Sequence, residues 1–172
     1  MPRRCFEEAV IRIQPASASD IPLILKFIRD LAEYEKLSGM VVASEEDIRE
    51  HLFGSDAVAD ALLAFWKDAP VGFALYFRNF STFLGKPGIY LEDLFVEPAY
   101  RGKGIGKALL ARLAAIAVQR GYGRLEWAVL DWNTPSIEFY RGLGAVAKDE
   151  WTTYQVTGEA LTRLALGNRG GA

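Results

Sequence analysis

A strand, a glycine-rich turn and a helix follow one another between residues 89 and 120, and this run constrains the fold more than any other stretch. The strand carries apolar residues on both of its faces, at Ile89, Tyr90, Leu91, Leu94, Phe95 and Val96. Such a strand is typical of the centre of a sheet that is covered on both sides. A helix is predicted from Ile105, because apolar residues recur there every three or four positions until Gly121 ends it.

The turn between this strand and helix favours the binding of an anion. It reads Arg101-Gly102-Lys103-Gly104-Ile105-Gly106. Its glycines let a ligand approach the backbone, the unpaired amides of the first helical turn attract negative charge, and the arginine and lysine add cations. The glycine spacing fits neither the dinucleotide fingerprint nor the P-loop. We therefore expect a phosphate-bearing ligand of another class, although an ordinary glycine-rich turn is the alternative.

The same hexapeptide fits the acyl-CoA pyrophosphate loop, Q/R-x-x-G-x-G/A, at every fixed position. On this basis the chain resembles the GNAT superfamily of N-acetyltransferases. It is similar in particular to the diamine (spermidine/spermine and thialysine) acetyltransferase group, through Tyr34-Glu35, Tyr90-Leu91-Glu92-Asp93, Trp132-Asn133-x-Pro135-Ser136 and Phe139-Tyr140. The resemblance covers about residues 10–166. It implies an α/β (α+β) fold with a mixed, mostly antiparallel central sheet and helices on both faces.

The length of 172 residues predicts a single domain, 1–172, with its core at about 10–166 and flexible ends at 1–8 and 167–172. Apolar runs are far shorter than the ~20 residues of a membrane span, and the N-terminus lacks the apolar region of a secretory signal. We therefore expect a cytoplasmic protein without membrane association. A net charge of −2 gives no general basic field for nucleic acid.

Only one cysteine, Cys5, and one histidine, His51, occur in the chain. An intramolecular disulfide is therefore impossible, and a zinc site of the Cys/His type lacks ligands. A catalytic triad could use only His51, which the pattern places in a polar helix as a surface or capping residue. No metal is expected.

The remaining elements are predicted from periodicity, capping and turn residues. Strands are expected at 10–14, 61–66, 71–80, 124–132 and 145–156. Helices are expected at 21–36, after the cap at Ser44 and from 134, and a helix or turn is expected at 158–166. Ser17 with Asp20, and Ser44 with Asp47, form capping-box signals, and Thr134 before Pro135 predicts a third helix start. A four-residue connection at 67–70 predicts a hairpin, and residues 81–88 are interpreted as a mobile loop.

The resemblance implies acetyl-CoA as cofactor and names the residues that hold it. The backbone near Val96 pairs with the pantetheine and supplies the oxyanion donor, and Arg101 with the following amides holds the pyrophosphate. The full implied set is Leu94, Phe95, Val96, Arg101, Gly102, Lys103, Gly104, Ile105, Gly106, Lys107, Asn133 and Ser136.

Acetyl transfer to an amine requires a base and an acid. A primary amine has a pKa of about 10.4, so it must lose a proton before it attacks. The resemblance implies that Glu92 accepts this proton through water and that Tyr140 protonates the departing thiolate. The alternatives are a sheet-bound carboxylate for Glu92 and a core aromatic for Tyr140. Glu92 and Asp93 are adjacent on a strand, so they point to opposite faces unless a bulge intervenes.

The resemblance does not single out one acceptor amine. The resemblance assigns the amine pocket to Tyr34, Glu35, Glu92, Glu126, Trp127, Asp149 and Glu150, close to the interface of a homodimer. Ser81 and Phe83 stand where polyamine enzymes carry an acidic residue and a tryptophan, so a thialysine-like amino acid or short diamine is at least as well supported as a long polyamine. A protein amine, or a non-catalytic acyl-CoA sensor, remains the alternative.

Overall fold

The computed structural model describes residues 11–167, which form two compact units that divide between Ala128 and Val129. The predicted flexible end at 1–8, which includes Cys5, and the predicted flexible end at 167–172, apart from Gly167, lie outside the described residues. None of the helices in the described range is both long and apolar enough to cross a bilayer.

The first unit is built on a mixed five-stranded sheet. Its strands are β1 (Ile11–Pro15), β2 (Asp60–Trp66), β3 (Ala69–Ser81), β4 (Lys86–Val96) and β5 (Leu125–Trp127). They lie in the order β1-β2-β3-β4-β5, with antiparallel pairing except between β4 and β5, which are parallel. The predicted mixed, mostly antiparallel sheet is confirmed, and β4 is its longest strand after β3.

Helices cover both faces of this sheet, as predicted. They are α1 (Ile21–Tyr34), α2 (Glu45–Phe53) and α3 (Ile105–Gln119). Phe27 of α1 stacks on Phe73 of β3 with ring centres 5.7 Å apart, and both are fully buried. Residues that alternate with Phe73 point to the other face, against which α3 packs with Leu109 and Leu113 fully buried.

Both predicted capping boxes are present. The Ser44 hydroxyl accepts the Asp47 amide at 3.2 Å, and the Asp47 carboxylate accepts the Ser44 amide at 2.8 Å. Ser17 and Asp20 make the equivalent pair, but they open a short 3-10 turn that leads directly into α1. His51 is exposed in the last turn of α2, as its interpretation as a surface residue requires.

The predicted mobile loop at 81–88 is wrong, because the two flanking strands continue through half of it. Phe80 pairs with Pro87 and Ser81 with Lys86, which leaves a turn at 82–85. The buried Ser81 hydroxyl accepts the Leu84 amide at 3.2 Å and closes that turn. The β2–β3 connection is also shorter than predicted, because Lys67 adopts a positive φ of 56° and β3 begins at Ala69.

The second unit contains α4 (Thr134–Gly142) and α5 (Gly158–Leu166). The strand predicted at 145–156 is wrong, since no described residue there is in a strand. A turn interrupts it, with the Trp151 amide donating to the Lys148 carbonyl at 3.2 Å. The predicted strand at 124–132 is likewise shortened to β5, because the Asn133 amide donates to the Leu130 carbonyl at 2.8 Å and turns the chain.

Candidate active site

The glycine turn before α3 has the backbone conformation of an anion-binding loop. Gly102 and Gly104 have φ values of 75° and 85°, in the left-handed region that other residues rarely adopt. Gly104 is the N-cap of α3 and provides no side-chain cap, and the first turn of α3 contains no acidic residue. The first amides of the helix therefore lack a side-chain acceptor, and the exposed Lys107 adds positive charge beside them. An anion would stabilise this helix start.

The two other cations of this loop already have partners within the protein. The Arg101 Nε donates to the Val96 carbonyl at 2.9 Å, and its guanidinium carbon lies 4.3 Å from the centre of the Tyr34 ring. The Lys103 ammonium lies 5.4 Å from the centre of the Trp66 ring. Both cations are thus oriented by aromatic rings of other elements.

The end of β4 has an open edge within the first unit. β5 pairs with β4 only from Ile89 to Leu91, so β4 continues beyond it with β3 as its partner. The Glu97 amide donates to the Val71 carbonyl at 2.8 Å, which directs the backbone of Glu97 toward β3. Because backbone groups alternate in direction along a strand, those of Leu94 and Val96 point to the open edge, whereas Phe95 directs its backbone toward β3 and its side chain into the core.

A β-bulge interrupts β4 at Glu92. Asp93 pairs with Leu75 and Leu91 pairs with Tyr76, so Glu92 is the extra residue of β4. A bulge changes the direction of side chains locally and is common beside active sites. The condition under which Glu92 and Asp93 can serve one site is therefore met, and Glu92 is exposed while Asp93 is half-buried.

Asp93 is the most strongly perturbed carboxyl group of this region. Burial first, and then the neighbouring Glu92 and Glu35 carboxylates, together raise the pKa of Asp93 to about 6. Burial also raises the pKa of Glu35, at the C-terminal end of α1. Asp93 is not among the site residues expected from the sequence. The signal that could have identified it is a second charged residue in an otherwise apolar strand.

The raised pKa of Asp93 predicts a pH-dependent stability effect. Between the ordinary aspartate pKa and about 6 the folded state binds more protons than the unfolded state, so stability falls as pH rises through that window. Asp93→Asn removes this penalty. We expect the variant to be more stable than the parent by up to about 3 kcal/mol at pH 8 and nearly equal to it at pH 4, measured by urea unfolding.

The matched control is Asp56→Asn, because Asp56 is an exposed aspartate in a turn after α2. It should leave the difference between the two pH values unchanged. An Asp93→Asn variant that is destabilised equally at pH 4 and pH 8 would contradict the electrostatic explanation.

Further predicted pocket residues lie on neighbouring strands and on α1. Glu126 of β5 pairs with Tyr90, accepts Asn79 Nδ2 at 3.1 Å and forms an ion pair with Arg124 Nε at 2.8 Å. The pKa of Tyr90 is raised by burial, then by Glu92 and Glu126, so Tyr90 lies within the field of both carboxylates. Trp127 ends β5 opposite Leu91, at the point where the open edge of β4 begins.

The second unit carries the other predicted residues. Asn133 is buried and is the N-cap of α4, where its Oδ1 accepts the Ser136 amide at 3.4 Å. The prediction of Thr134 as the cap is therefore wrong, because the longer asparagine side chain reaches that amide and Pro135 occupies the second helical position. Tyr140 is half-buried on α4, with its ring centre 5.3 Å from that of Phe139. Asp149 and Glu150 lie exposed in the turn that interrupts the predicted strand.

Known proteins are similar to this chain over most of its length. Residues 26–145 match the profile of the Acetyltransferase (GNAT) family. A thialysine N-epsilon-acetyltransferase from Bos taurus is 40% identical, over 91% of this chain and 98% of its own length. An L-ornithine N5-acetyltransferase from Arabidopsis thaliana is 34% identical, over 89% of this chain and 87% of its own length.

A solved structure has the same fold. It is an integron cassette protein from the mobile metagenome of V. cholerae, with a TM-score of 0.76 and 29% identity, and it covers 91% of this chain and 98% of its own. The fold, the family profile and the long acetyltransferase matches agree. The chain therefore belongs to the GNAT acetyltransferase family, whose members use acetyl-CoA, and it is an N-acetyltransferase.

Proposed function

We propose that this protein transfers the acetyl group of acetyl-CoA to a free primary amine of a small molecule, a thialysine-like amino acid or a short diamine, by direct attack. The relatives that act on thialysine and ornithine support an acceptor of this size and charge. The observation that carries the proposal is the cluster of carboxyl groups around the bulge of β4, where burial, and then the Glu92 and Glu35 carboxylates, raise the pKa of Asp93 to about 6.

The donor side fits the loop and strand edge of the first unit. The amides at the start of α3 and the side chain of Lys107 hold the pyrophosphate, and the outward backbone groups of Leu94 and Val96 pair with the pantetheine. A side chain at Gly102 would meet no other atom within 4 Å, so this part of the loop is open. When bound, acetyl-CoA supplies the activated acyl group. Asn133 and Ser136 contribute the remaining predicted contacts.

The residues of this chain then supply three functions. Glu92, exposed at the bulge, takes a proton from the ammonium through water, so that the amine nitrogen can form the new C–N bond. The Val96 amide donates to the oxyanion that develops on the acyl carbonyl. Tyr140 gives a proton to the sulfur as the C–S bond breaks, and the acylated nitrogen loses its second proton through water, which restores Tyr140. The products are the acetylated amine and free CoA thiol.

A cationic acceptor suits the acidic residues of the first unit. Burial raises the pKa of Asp93 most, and Glu92 and Glu35 raise it further, which means that these carboxyl groups repel one another. An ammonium group placed among them relieves that repulsion and lowers the pKa of Asp93 again. Tyr34 and Glu126 extend this pocket along α1 and β5, and Asp149 and Glu150 are further acidic candidates.

The β3–β4 turn supports a short acceptor over a long polyamine. Ser81 is buried and its hydroxyl is used to close the turn, so it offers no charge to a distant ammonium group. Phe83 is 91% exposed at the tip of the same turn. No carboxylate occupies either position, so this turn offers no negative charge to a second ammonium group.

We extend the proposal to a cytoplasmic homodimer, as the family resemblance implies. Large apolar side chains of the second unit support a partner surface, since Val146, Trp151 and Leu164 are all more than half exposed. Light scattering of the purified protein tests this, because a monomer has a mass of 19.1 kDa and a dimer twice that value.

The acceptor panel tests the proposed substrate class. We expect kcat/KM to be highest for thialysine, ornithine or a short diamine, and at least about tenfold lower for spermine and for a lysine-containing peptide blocked at both ends. If the peptide were the best acceptor, the function would instead be protein acetylation. Binding of CoA without thiol release for any amine would support a sensor.

A further inference from the structure

Arg101 joins two elements that form opposite sides of the proposed site. Its Nε donates to the carbonyl of Val96, at the end of β4, at 2.9 Å. Its guanidinium carbon lies 4.3 Å from the Tyr34 ring centre, at the end of α1, and 5.7 Å from the Phe95 ring centre. The planar guanidinium is thus held by a directed hydrogen bond and a stacked ring, a combination that lysine cannot reproduce.

The carbonyl that Arg101 binds belongs to the residue whose amide is the proposed oxyanion donor. The amide and carbonyl of Val96 lie on the same, open edge of β4, because Glu97 and Phe95 direct their own backbone groups toward β3. The hydrogen bond to the Val96 carbonyl therefore restrains the strand edge on which the Val96 amide lies. A donor to an oxyanion must be oriented before the reaction to be effective.

The segment from Val96 to Arg101 has further attachments that restrain it. Lys26 of α1 forms an ion pair with Glu97, the residue after β4, at 3.0 Å between Nζ and Oε1. Tyr100 packs near Trp66 of β2, with ring centres 6.5 Å apart. The segment is therefore attached to α1 on one side and to the end of β2 on the other, and Arg101 is its last contact before the glycine turn.

We propose that Arg101 is a positioning residue, which fixes the Val96 edge of β4 against Tyr34 of α1, and that this role outweighs its charge in binding the pyrophosphate. The inference rests on the proposed function, since it assumes that the Val96 amide meets the acyl carbonyl. It links the donor edge to the end of α1 that carries Glu35, so it also relates acetyl-group orientation to the amine pocket.

Two substitutions separate the positioning role from the charge. In Arg101→Gln the amide nitrogen occupies the place of Nε, so the donor to Val96 is kept and the charge is lost. In Arg101→Lys the charge is kept, but a methylene group occupies the place of Nε. A positioning role predicts that Arg101→Lys lowers kcat by about tenfold to a hundredfold, with a small change in the KM for acetyl-CoA. The loss of kcat in Arg101→Gln should be several-fold smaller.

A readout without substrate accompanies the kinetics. The carbonyl ¹³C resonance of Val96 should shift in Arg101→Lys and stay close to the parent value in Arg101→Gln. Arg49→Gln, which removes an exposed arginine of α2, is the matched control for loss of charge and should alter neither readout.

A Tyr34→Leu variant and its combination with Arg101→Lys test the link to α1. If Arg101 and Tyr34 act together, the double variant should lose little more kcat than the worse single variant. Full additivity would overturn the link. The positioning role itself is overturned if lysine keeps kcat while glutamine raises the KM for acetyl-CoA about tenfold or more in a salt-dependent manner. Absence of parental turnover with every free amine would instead refute the proposed function, and the Val96 resonance would still decide the role of Arg101.

Discussion

Tyr140→Phe is expected to lower kcat by about a hundredfold to ten-thousandfold, because it removes the proton that the departing thiolate requires. The affinity for CoA should change little, since the substitution retains the ring that packs 5.3 Å from Phe139. Thiol release measures the turnover, and calorimetry with CoA measures the binding.

Tyr154→Phe is the matched control for this variant. Tyr154 also lies in the second unit but is 90% exposed, so loss of its hydroxyl group should leave kcat within about twofold of the parent. If Tyr140→Phe retains full turnover, Tyr140 is not the general acid and the thiolate is protonated by another group or by water.

Glu92→Gln is expected to lower kcat/KM by about a hundredfold or more at pH 7, where the amine acceptor is almost fully protonated. The deficit should shrink as pH approaches the amine pKa of about 10, because the free base then no longer needs a protein acceptor for its proton. A pH–rate profile of the parent and the variant measures this convergence.

Comparison with Asp93→Asn decides which carboxyl group accepts the proton. The bulge places Glu92 and Asp93 close enough to influence each other's charge, so both are candidates by position. A larger loss in Asp93→Asn than in Glu92→Gln would contradict the assignment to Glu92. Glu50→Gln, at an exposed position of α2, controls for the loss of a surface carboxylate.

Features that depend on neighbouring residues in the chain were predicted well. The capping boxes at Ser17 and Ser44 require only a hydroxyl and a carboxylate three residues apart, and both are present. The helix that begins at Ile105 was predicted from its periodicity and from the preceding glycine. The family resemblance rests on the same local motifs, and the comparisons confirm it.

Features that depend on distant residues were not predicted. The bulge at Glu92 is a property of the register between β3 and β4, which neither strand shows alone. The partner of Arg101 could not be predicted because Tyr34 is brought beside it only by the packing of α1. The strand expected at 145–156 failed for a related reason, since a strand needs a paired neighbour and the Lys148–Trp151 turn prevents continuous pairing.

The pKa of Asp93 illustrates the same limit. The sequence shows an aspartate between glutamate and leucine, but the rise in pKa arises from burial and from Glu35, which is distant along the chain. The clustering of these carboxyl groups is therefore a property of the folded first unit.

The most direct measurement is the stoichiometry of thiol release and amine acetylation with acetyl-CoA and thialysine, followed by mass spectrometry. We expect one free CoA thiol for each N-acetylated thialysine, and no acetyl group retained on the protein. Thiol release without acetylated amine, or acetylation confined to peptide lysines, would contradict direct transfer to a small amine.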